Sequence, residues 1–223
     1  MKNKKYTIIV ITLLVLLLLT PRVFAEVLSE KQKIEIELIN IELALILASK
    51  KVDIRYKQDL NINTLSNNQK VLYTECRKVG ITDNAQLANV FAQVELESNF
   101  VPKTEYRAAD WQTYLLNLQN RYWHTNFMGR GMIQLTWQSN YQKMSDVFNI
   151  DLVSQPNLAN DITIASAIAC YGMKKGSFTS VKLDDFINNS IISYYQARRI
   201  VNALDKAALI SENSMKWYNV LTQ

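Results

Sequence analysis

Two glutamates and a glycine-containing segment supply the residue types that acid and base chemistry needs. Glu97 ends a helical stretch, Glu105 follows eight residues later in a predicted loop, and the segment GRGMIQLTWQSNY begins at Gly129. A pair of carboxyl groups can protonate a leaving oxygen and activate a water. The amides of Gln134 and Asn140 offer both a donor and an acceptor, which suits an N-acetyl group.

The helix that carries Glu97 is predicted over residues 84–98. Asp83 and Gln86 have the spacing of a capping box at its start. The helical period turns Glu97 toward the apolar face and Glu95 away from it. A carboxyl group among apolar side chains at a helix C-terminus is expected to stay protonated near neutral pH. The alternative is a boundary glutamate that reaches water or pairs with an arginine.

Three segments occur in an order that resembles glycoside hydrolase family 19, which includes plant-type chitinases and many phage and bacterial endolysins. They are FAQVELESNF, TEY and GRGMIQLTWQSNY, at residues 91–100, 104–106 and 129–141. DLVSQPNLAND and ARRIVNALD resemble two further segments of that family, so the resemblance covers about residues 70–210. It implies a lysozyme-like helical domain of two lobes with a central cleft.

The resemblance also implies roles for individual residues. Glu97 matches the general acid and Glu105 the general base, with Asp110 as the reserve candidate for the base. Arg198 and Arg199 each match the family's arginine, and the choice between them stays open. The positions that match substrate-binding residues of the cleft are Gln134, Thr136, Asn140, Tyr141 and Asn202.

Other residues of the motif and its surroundings are expected to support that cleft. Gly129 and Gly131 would let the backbone approach a sugar closely, and Arg130 would anchor the turn to a carboxylate. Aromatic side chains that could stack on sugar faces are Trp111, Trp123, Trp137 and Tyr141.

The chain departs from the family pattern at several positions. Leu96 stands where the family has a histidine before the acid, and Asn99 alone stands where it has two glycines. Trp137 replaces the glycine after IQLT, and Ala203 replaces the first glycine of the arginine-containing segment.

The start of the chain predicts export. Residues 1–25 have a lysine-rich start, an apolar centre and small residues at the end, which is typical of a secretory signal peptide. The alternative is an uncleaved membrane anchor. Residues 26–60 predict an amphipathic helix that packs on its own domain or associates with a second copy. The catalytic domain is then expected at residues 61–223, in a secreted or periplasmic protein.

Composition argues against several functional classes. The net charge is +5, but residues 1–25 hold four basic residues and no acid, so the mature chain keeps +1 and nucleic-acid binding is not expected. With His124 as the single histidine, neither a metal site nor a Ser-His-Asp triad is expected, and no cofactor. Whether Cys76 and Cys170 form a disulfide or stay as thiols is left open.

The helical periodicity and the scarcity of strand signals predict a mostly α domain. Its helices are expected at residues 69–79, 84–98, 108–122, 137–148, 160–173, 180–189 and 191–221.

The expected activity is hydrolysis of the bond between N-acetylated sugars of peptidoglycan by an inverting acid and base mechanism. Three alternatives remain: a chitinase, a lytic transglycosylase, and a carbohydrate-binding protein without activity on a degenerate hydrolase scaffold. Each has a polysaccharide, peptidoglycan or chitin, as its partner.

Overall fold

The architecture is helical, as the sequence predicts. The computed structural model describes residues 34–35, 37–39, 41–42 and 62–223. Within residues 62–223 no strand is present, and only two isolated bridges occur, Arg130 with Leu135 and Ile187 with Ile192. The α-helices of this part are α1 Asn67–Lys78, α2 Asn84–Ser98, α3 Thr113–Asn120, α4 Gln138–Phe148, α5 Ile162–Lys175, α6 Leu183–Phe186, α7 Tyr194–Ala197 and α8 Ala207–Thr222. Short 3-10 helices lie at Ile62–Thr64, Trp123–Thr125, Pro156–Asn160 and Arg198–Ile200.

The chain divides into two compact units, Met1–Val52 and Asp53–Gln223. The predicted signal peptide lies outside the described residues, as does most of the predicted helix at residues 26–60. The described residues of that segment are helical, and four apolar side chains there are exposed in the single chain: Ile34, Leu38, Ile39 and Ile41. Packing of this helix on its own domain and its self-association both stay predictions. Among the described residues no helix combines the length and apolar character needed to cross a membrane.

Helix α2 forms the centre of the larger unit, and most of its side chains are buried. Its predicted bounds are confirmed, and the Asp83 carboxylate caps its start by accepting a hydrogen bond from the Ala85 N–H at 2.8 Å. The predicted capping box is wrong, because the Asp83 carboxylate accepts from the second residue of the helix, Ala85, and not from the Gln86 N–H. The Gln86 amide donates to the Asp184 carboxylate and the Ile187 carbonyl oxygen. Gln86 thus ties α2 to the region around α6.

Two helix pairs fix this centre. Helix α2 packs along α8, and α1 packs along α5. Cys76 of α1 and Cys170 of α5 form a disulfide with their Cα atoms 5.0 Å apart, which settles the open pairing. Because the bond closes a loop of 94 residues, it stabilises the fold by about 4–5 kcal/mol in the chain-entropy account.

The long predicted helix over residues 191–221 is wrong, since the chain leaves the helical path between Ile200 and Ala207. Lys206 adopts a left-handed backbone with φ 55°, and the carbonyl oxygen of Asp205 accepts a hydrogen bond from the Arg198 guanidinium at 2.9 Å. A buried guanidinium needs such acceptors, and a continuous helix would not supply them. The helices predicted at residues 108–122 and 180–189 are likewise shorter, namely α3 and the single turn α6.

Candidate active site

Glu97 lies at the C-terminal end of α2 and pairs with an arginine. One guanidinium nitrogen of Arg198 lies 2.7 Å from the Glu97 carboxylate, and the two side chains are 2% and 22% exposed, respectively. Arg199 is exposed, so the structure chooses Arg198 over Arg199 as the partner of the predicted acid.

The Arg198 guanidinium is held from three directions. It donates to the Gln93 amide oxygen at 2.7 Å and to the Asp205 carbonyl oxygen at 2.9 Å, in addition to its contact with Glu97. The Gln93 amide in turn donates to the Ala197 carbonyl oxygen at 3.1 Å. Because Gln93 and Glu97 are four residues apart on α2, one helix face presents both acceptors to one cation.

This environment differs from the expected one. The expectation of a protonated Glu97 rested on apolar surroundings, whereas the structure gives the carboxylate a cationic partner and partial access to water. The placement of Glu95 is also corrected. Its carboxylate is half-buried and accepts hydrogen bonds from the Asn213 amide and the Trp217 indole of α8, both at 3.0 Å.

Glu105 lies in the segment before α3 and is held by neutral donors. One carboxylate oxygen accepts the Gly129 N–H at 2.6 Å. The other accepts the Gln119 amide at 3.1 Å and the Tyr122 hydroxyl at 3.0 Å. Gln119 and Tyr122 are both buried, so the carboxylate has one fixed orientation. Glu105 is not a freely solvated loop acid.

The negative charge of Glu105 contributes to the raised pKa of its neighbour Tyr122. Burial raises the pKa of Tyr122 to about 12, and the charge of Glu105 and its hydrogen bond act in the same direction, while Arg107 opposes them. The Tyr122 hydroxyl therefore stays protonated and acts as a donor at neutral pH.

At the two glycines of the motif, the absence of a side chain lets other residues of the chain pack against the backbone. A side chain at Gly129 would meet the Gln134 amide oxygen at 2.9 Å and the Glu105 carboxyl carbon at 3.3 Å. Gly131 has φ +83°, and a side chain there would meet the Ala159 carbonyl oxygen at 2.7 Å. The space expected for a sugar beside these glycines is thus occupied by Glu105, Gln134 and Ala159.

Arg130 anchors the turn, but to neutral oxygens. Within the described chain its guanidinium has no carboxylate partner. It donates to the Asn126 carbonyl oxygen at 2.9 Å, the Asn157 amide oxygen at 3.1 Å and the Tyr141 hydroxyl oxygen at 3.1 Å. Tyr141 is fully buried and donates to the Met128 carbonyl oxygen at 2.8 Å. Tyr141 therefore stabilises the loop from inside and cannot stack on a sugar.

The other predicted binding residues of the motif are half-buried and adjacent. The Gln134 amide donates to the Lys103 carbonyl oxygen at 3.1 Å and joins the motif to the strand-like segment that carries Glu105. The Thr136 hydroxyl donates to the Gln134 carbonyl oxygen, and the Asn140 amide donates to the Thr136 carbonyl oxygen, both at 2.8 Å. These three residues lie along one hydrogen-bonded path from Lys103 into α4.

Trp137 begins α4 in an unusual conformation. Its φ is 76°, a value that favours glycine. Its ring is partly exposed, lies edge-on to the Tyr122 ring at a centroid distance of 5.0 Å, and has the Arg121 guanidinium 5.6 Å from its centroid. Trp137 thus borders the aromatic side chain that holds Glu105.

The predicted site residues form two groups. Asn202 belongs with Glu97, since its N–H donates to the Arg198 carbonyl oxygen at 3.1 Å, and its side chain is exposed. Glu105 and the motif form the second group. No hydrogen bond or ion pair connects the two groups in the part of the chain that the structure describes. Asp110, the reserve base, is exposed in a turn.

Sequence reasoning missed Gln93, which holds the Arg198 partner of Glu97, and it missed Gln119 and Tyr122, which hold Glu105. Gln93 precedes Glu97 by one helical turn, so helical spacing was a usable signal. Gln119 and Tyr122 follow Glu105 by 14 and 17 residues, respectively, and no local pattern predicts that contact.

Neither a scan against protein-family models nor a comparison with curated proteins finds a match for this chain. Within the described residues, no group of three histidine, cysteine or acidic side chains is placed to hold a metal ion.

Proposed function

We propose that this chain is a secreted or periplasmic glycoside hydrolase, similar to family 19, with a lysozyme-like fold of two lobes. It cleaves the bond between N-acetylated sugars of peptidoglycan. The observation that carries the proposal is the hydrogen bond that the Gly129 N–H donates to the Glu105 carboxylate, because it joins the second acid directly to the GRG motif. The wide cysteine spacing closed by a disulfide is consistent with an exported protein.

Backbone conformation at the departures from the family pattern supports the resemblance. Asn99 has a φ of 51°, and it stands alone where the family pattern has two glycines after the acid and the serine. Trp137, with φ 76°, stands where that pattern has another glycine. A left-handed backbone is what glycine adopts most readily. The glycine-type backbone is thus kept at these two positions although the glycines are replaced.

In the proposed reaction Glu105 acts as the general base. Its three donors are neutral, so they orient the carboxylate without cancelling its charge. A water beside it loses a proton to the carboxylate as its oxygen attacks the sugar carbon. Asp110 has no comparable support among the described residues, which favours Glu105 for this role.

Glu97 acts as the general acid in the same reaction. It enters the step protonated, which its contact with Arg198 opposes, gives its proton to the leaving oxygen and ends as the carboxylate that this contact stabilises. Inversion of the anomeric centre requires room for a water between the two carboxyl groups. In this reaction the Gln134 and Asn140 amides of the motif bind the N-acetyl group.

The test is hydrolysis of purified peptidoglycan and colloidal chitin, side by side, by the mature chain. Glu97→Gln and Glu105→Gln are each expected to lower the rate by about 10²-fold or more. Glu95→Gln is the matched control for the first, since Glu95 lies on the same helix and is bound to α8 instead. Asp110→Asn is the control for the second, and a larger loss there than in Glu105→Gln would move the base to Asp110.

Product analysis separates the alternatives. New reducing ends of inverted configuration support the proposal, whereas 1,6-anhydro ends identify a lytic transglycosylase. Activity on chitin alone would change the substrate to chitin. If the wild type bound either polymer but hydrolysed neither, it would be identified as a carbohydrate-binding protein.

A further inference from the structure

Three aromatic rings project into solvent directly after Glu105. The side chains of Tyr106, Trp111 and Tyr114 are 86%, 81% and 85% exposed, respectively. We call these three residues the aromatic strip. Exposure of this degree leaves almost all of the apolar area of each ring in water. Exposed aromatic groups that cluster along the chain usually mark a contact surface for a ligand or partner.

The aromatic strip is joined to the second carboxylate of the candidate site. Tyr106 follows Glu105 directly, and its carbonyl oxygen accepts the Gln119 amide at 2.8 Å, the same amide that reaches Glu105 at 3.1 Å. The Gln119 amide oxygen also accepts the Ala108 N–H at 2.7 Å. The loop that carries Tyr106 and Trp111 is therefore fixed through Gln119 on α3, the helix that carries Tyr114.

The chemistry of the strip fits an uncharged ligand with hydroxyl groups. Helix α3, which carries Tyr114, has the sequence TYLLNLQN and holds no charged residue. The segment between Tyr106 and Trp111 carries one exposed cation, Arg107, and one exposed anion, Asp110, so its net charge is zero. Tyrosine and tryptophan offer a flat apolar face with one polar group, which matches the alternating C–H faces and hydroxyl groups of a sugar ring. Helices that lie on membranes carry lysine or arginine on the polar face, and α3 does not.

We propose that the aromatic strip binds the glycan strand of the polymer beyond the sugars that Glu105 contacts. This inference rests on the proposed function and extends it. The strip makes the protein prefer long strands, because each stacked ring adds affinity only where the polymer reaches it.

The experiment measures sedimentation with purified cell-wall sacculi, in the Glu97→Gln background so that the glycan stays intact. Trp111→Leu together with Tyr114→Leu keeps apolar area but removes both rings, and it is expected to weaken binding about tenfold. Trp111→Tyr together with Tyr114→Phe keeps both rings and is expected to bind within about twofold of the parent. Met215→Ala is the control for loss of an exposed apolar side chain elsewhere, on α8.

Thermal unfolding of each variant checks that the fold is kept. Little loss of stability is expected, because the substituted side chains are exposed. Equal binding by the leucine and the ring-retaining variants would overturn the proposal. So would equal binding of the parent to anionic phospholipid vesicles, which would indicate a membrane surface. Ring-dependent binding by a chain without hydrolytic activity would keep this proposal and overturn the proposed function. Hydrolysis by a chain whose binding does not depend on the rings would overturn this proposal and keep the proposed function.

Discussion

The two candidate catalytic carboxylates are held by different kinds of partner. Glu97 meets the guanidinium of Arg198 at 2.7 Å, while Glu105 accepts hydrogen bonds from a backbone N–H, an amide and a hydroxyl. A cation lowers the energy of the carboxylate through charge. Neutral donors fix its orientation and leave its charge in place. Both arrangements therefore stabilise a carboxylate, the first through a full charge and the second through oriented dipoles.

The largest effect is expected from removing the cation. Arg198→Met leaves Glu97 without its charged partner and Gln93 with an unsatisfied buried oxygen, so the free energy of unfolding is expected to fall by about 3–5 kcal/mol. Urea unfolding measures this. Arg199→Met replaces the exposed neighbouring arginine and is expected to change stability by less than about 0.5 kcal/mol. Equal losses in both variants would contradict the pairing with Arg198.

A smaller effect on stability is expected at Glu105, whose hydrogen-bond donors are neutral. Tyr122→Phe removes one hydrogen bond to the charged carboxylate of Glu105 and is expected to lower the free energy of unfolding by about 1.5–3 kcal/mol. Tyr106→Phe is the control, because that tyrosine is exposed and leaves Glu105 untouched. If Tyr122→Phe were as stable as wild type, the Tyr122 hydroxyl would not hold Glu105.

The close contact at the motif gives a third comparison. Gly129→Ala would push a methyl group against Gln134 and Glu105, and overpacking of this kind costs about 1–3 kcal/mol. Urea unfolding and the rate of polymer cleavage are both expected to fall. Gly80→Ala adds a methyl group in open space at φ +84° and tests backbone strain alone. A fall in the rate with Gly129→Ala alone would separate displacement of Glu105 from general instability.

The smallest effect is expected from pH. The folded pKa of Tyr122, about 12, lies above the ordinary tyrosine value of 10.0, so the fold favours the protonated hydroxyl. The resulting stability is complete below pH 10 and is lost as pH rises toward 12. The melting temperature of the wild type should therefore fall more steeply over this range than that of Tyr122→Phe. Parallel curves would contradict the raised pKa.

The sequence predicts local features well where one helix carries the signal. The bounds of α2, its Asp83 cap and the inward turn of Glu97 all follow from the helical period and the cap residue. The sequence did not predict contacts with distant segments. The Gln86 amide donates to Asp184 and Ile187, which lie about a hundred residues away.

The candidate site shows the same division. Residue types and order pointed to Glu97, Glu105 and the GRG motif, and the structure places Glu105 against Gly129. The sequence could not choose between Arg198 and Arg199, since two adjacent arginines match the same pattern. The choice depends on the chain turning back between Ile200 and Ala207, where Asp205 offers its carbonyl oxygen to Arg198.

The sequence by itself determined that the domain is mostly helical and where the carboxylates lie along the chain. These follow from periodicity and residue type, which are local properties. Only the tertiary structure decided the disulfide between Cys76 and Cys170, the burial of Tyr141 and the different partners of Glu97 and Glu105. Each depends on contacts between residues far apart in the chain, and the energy of such contacts exists only once the helices are packed.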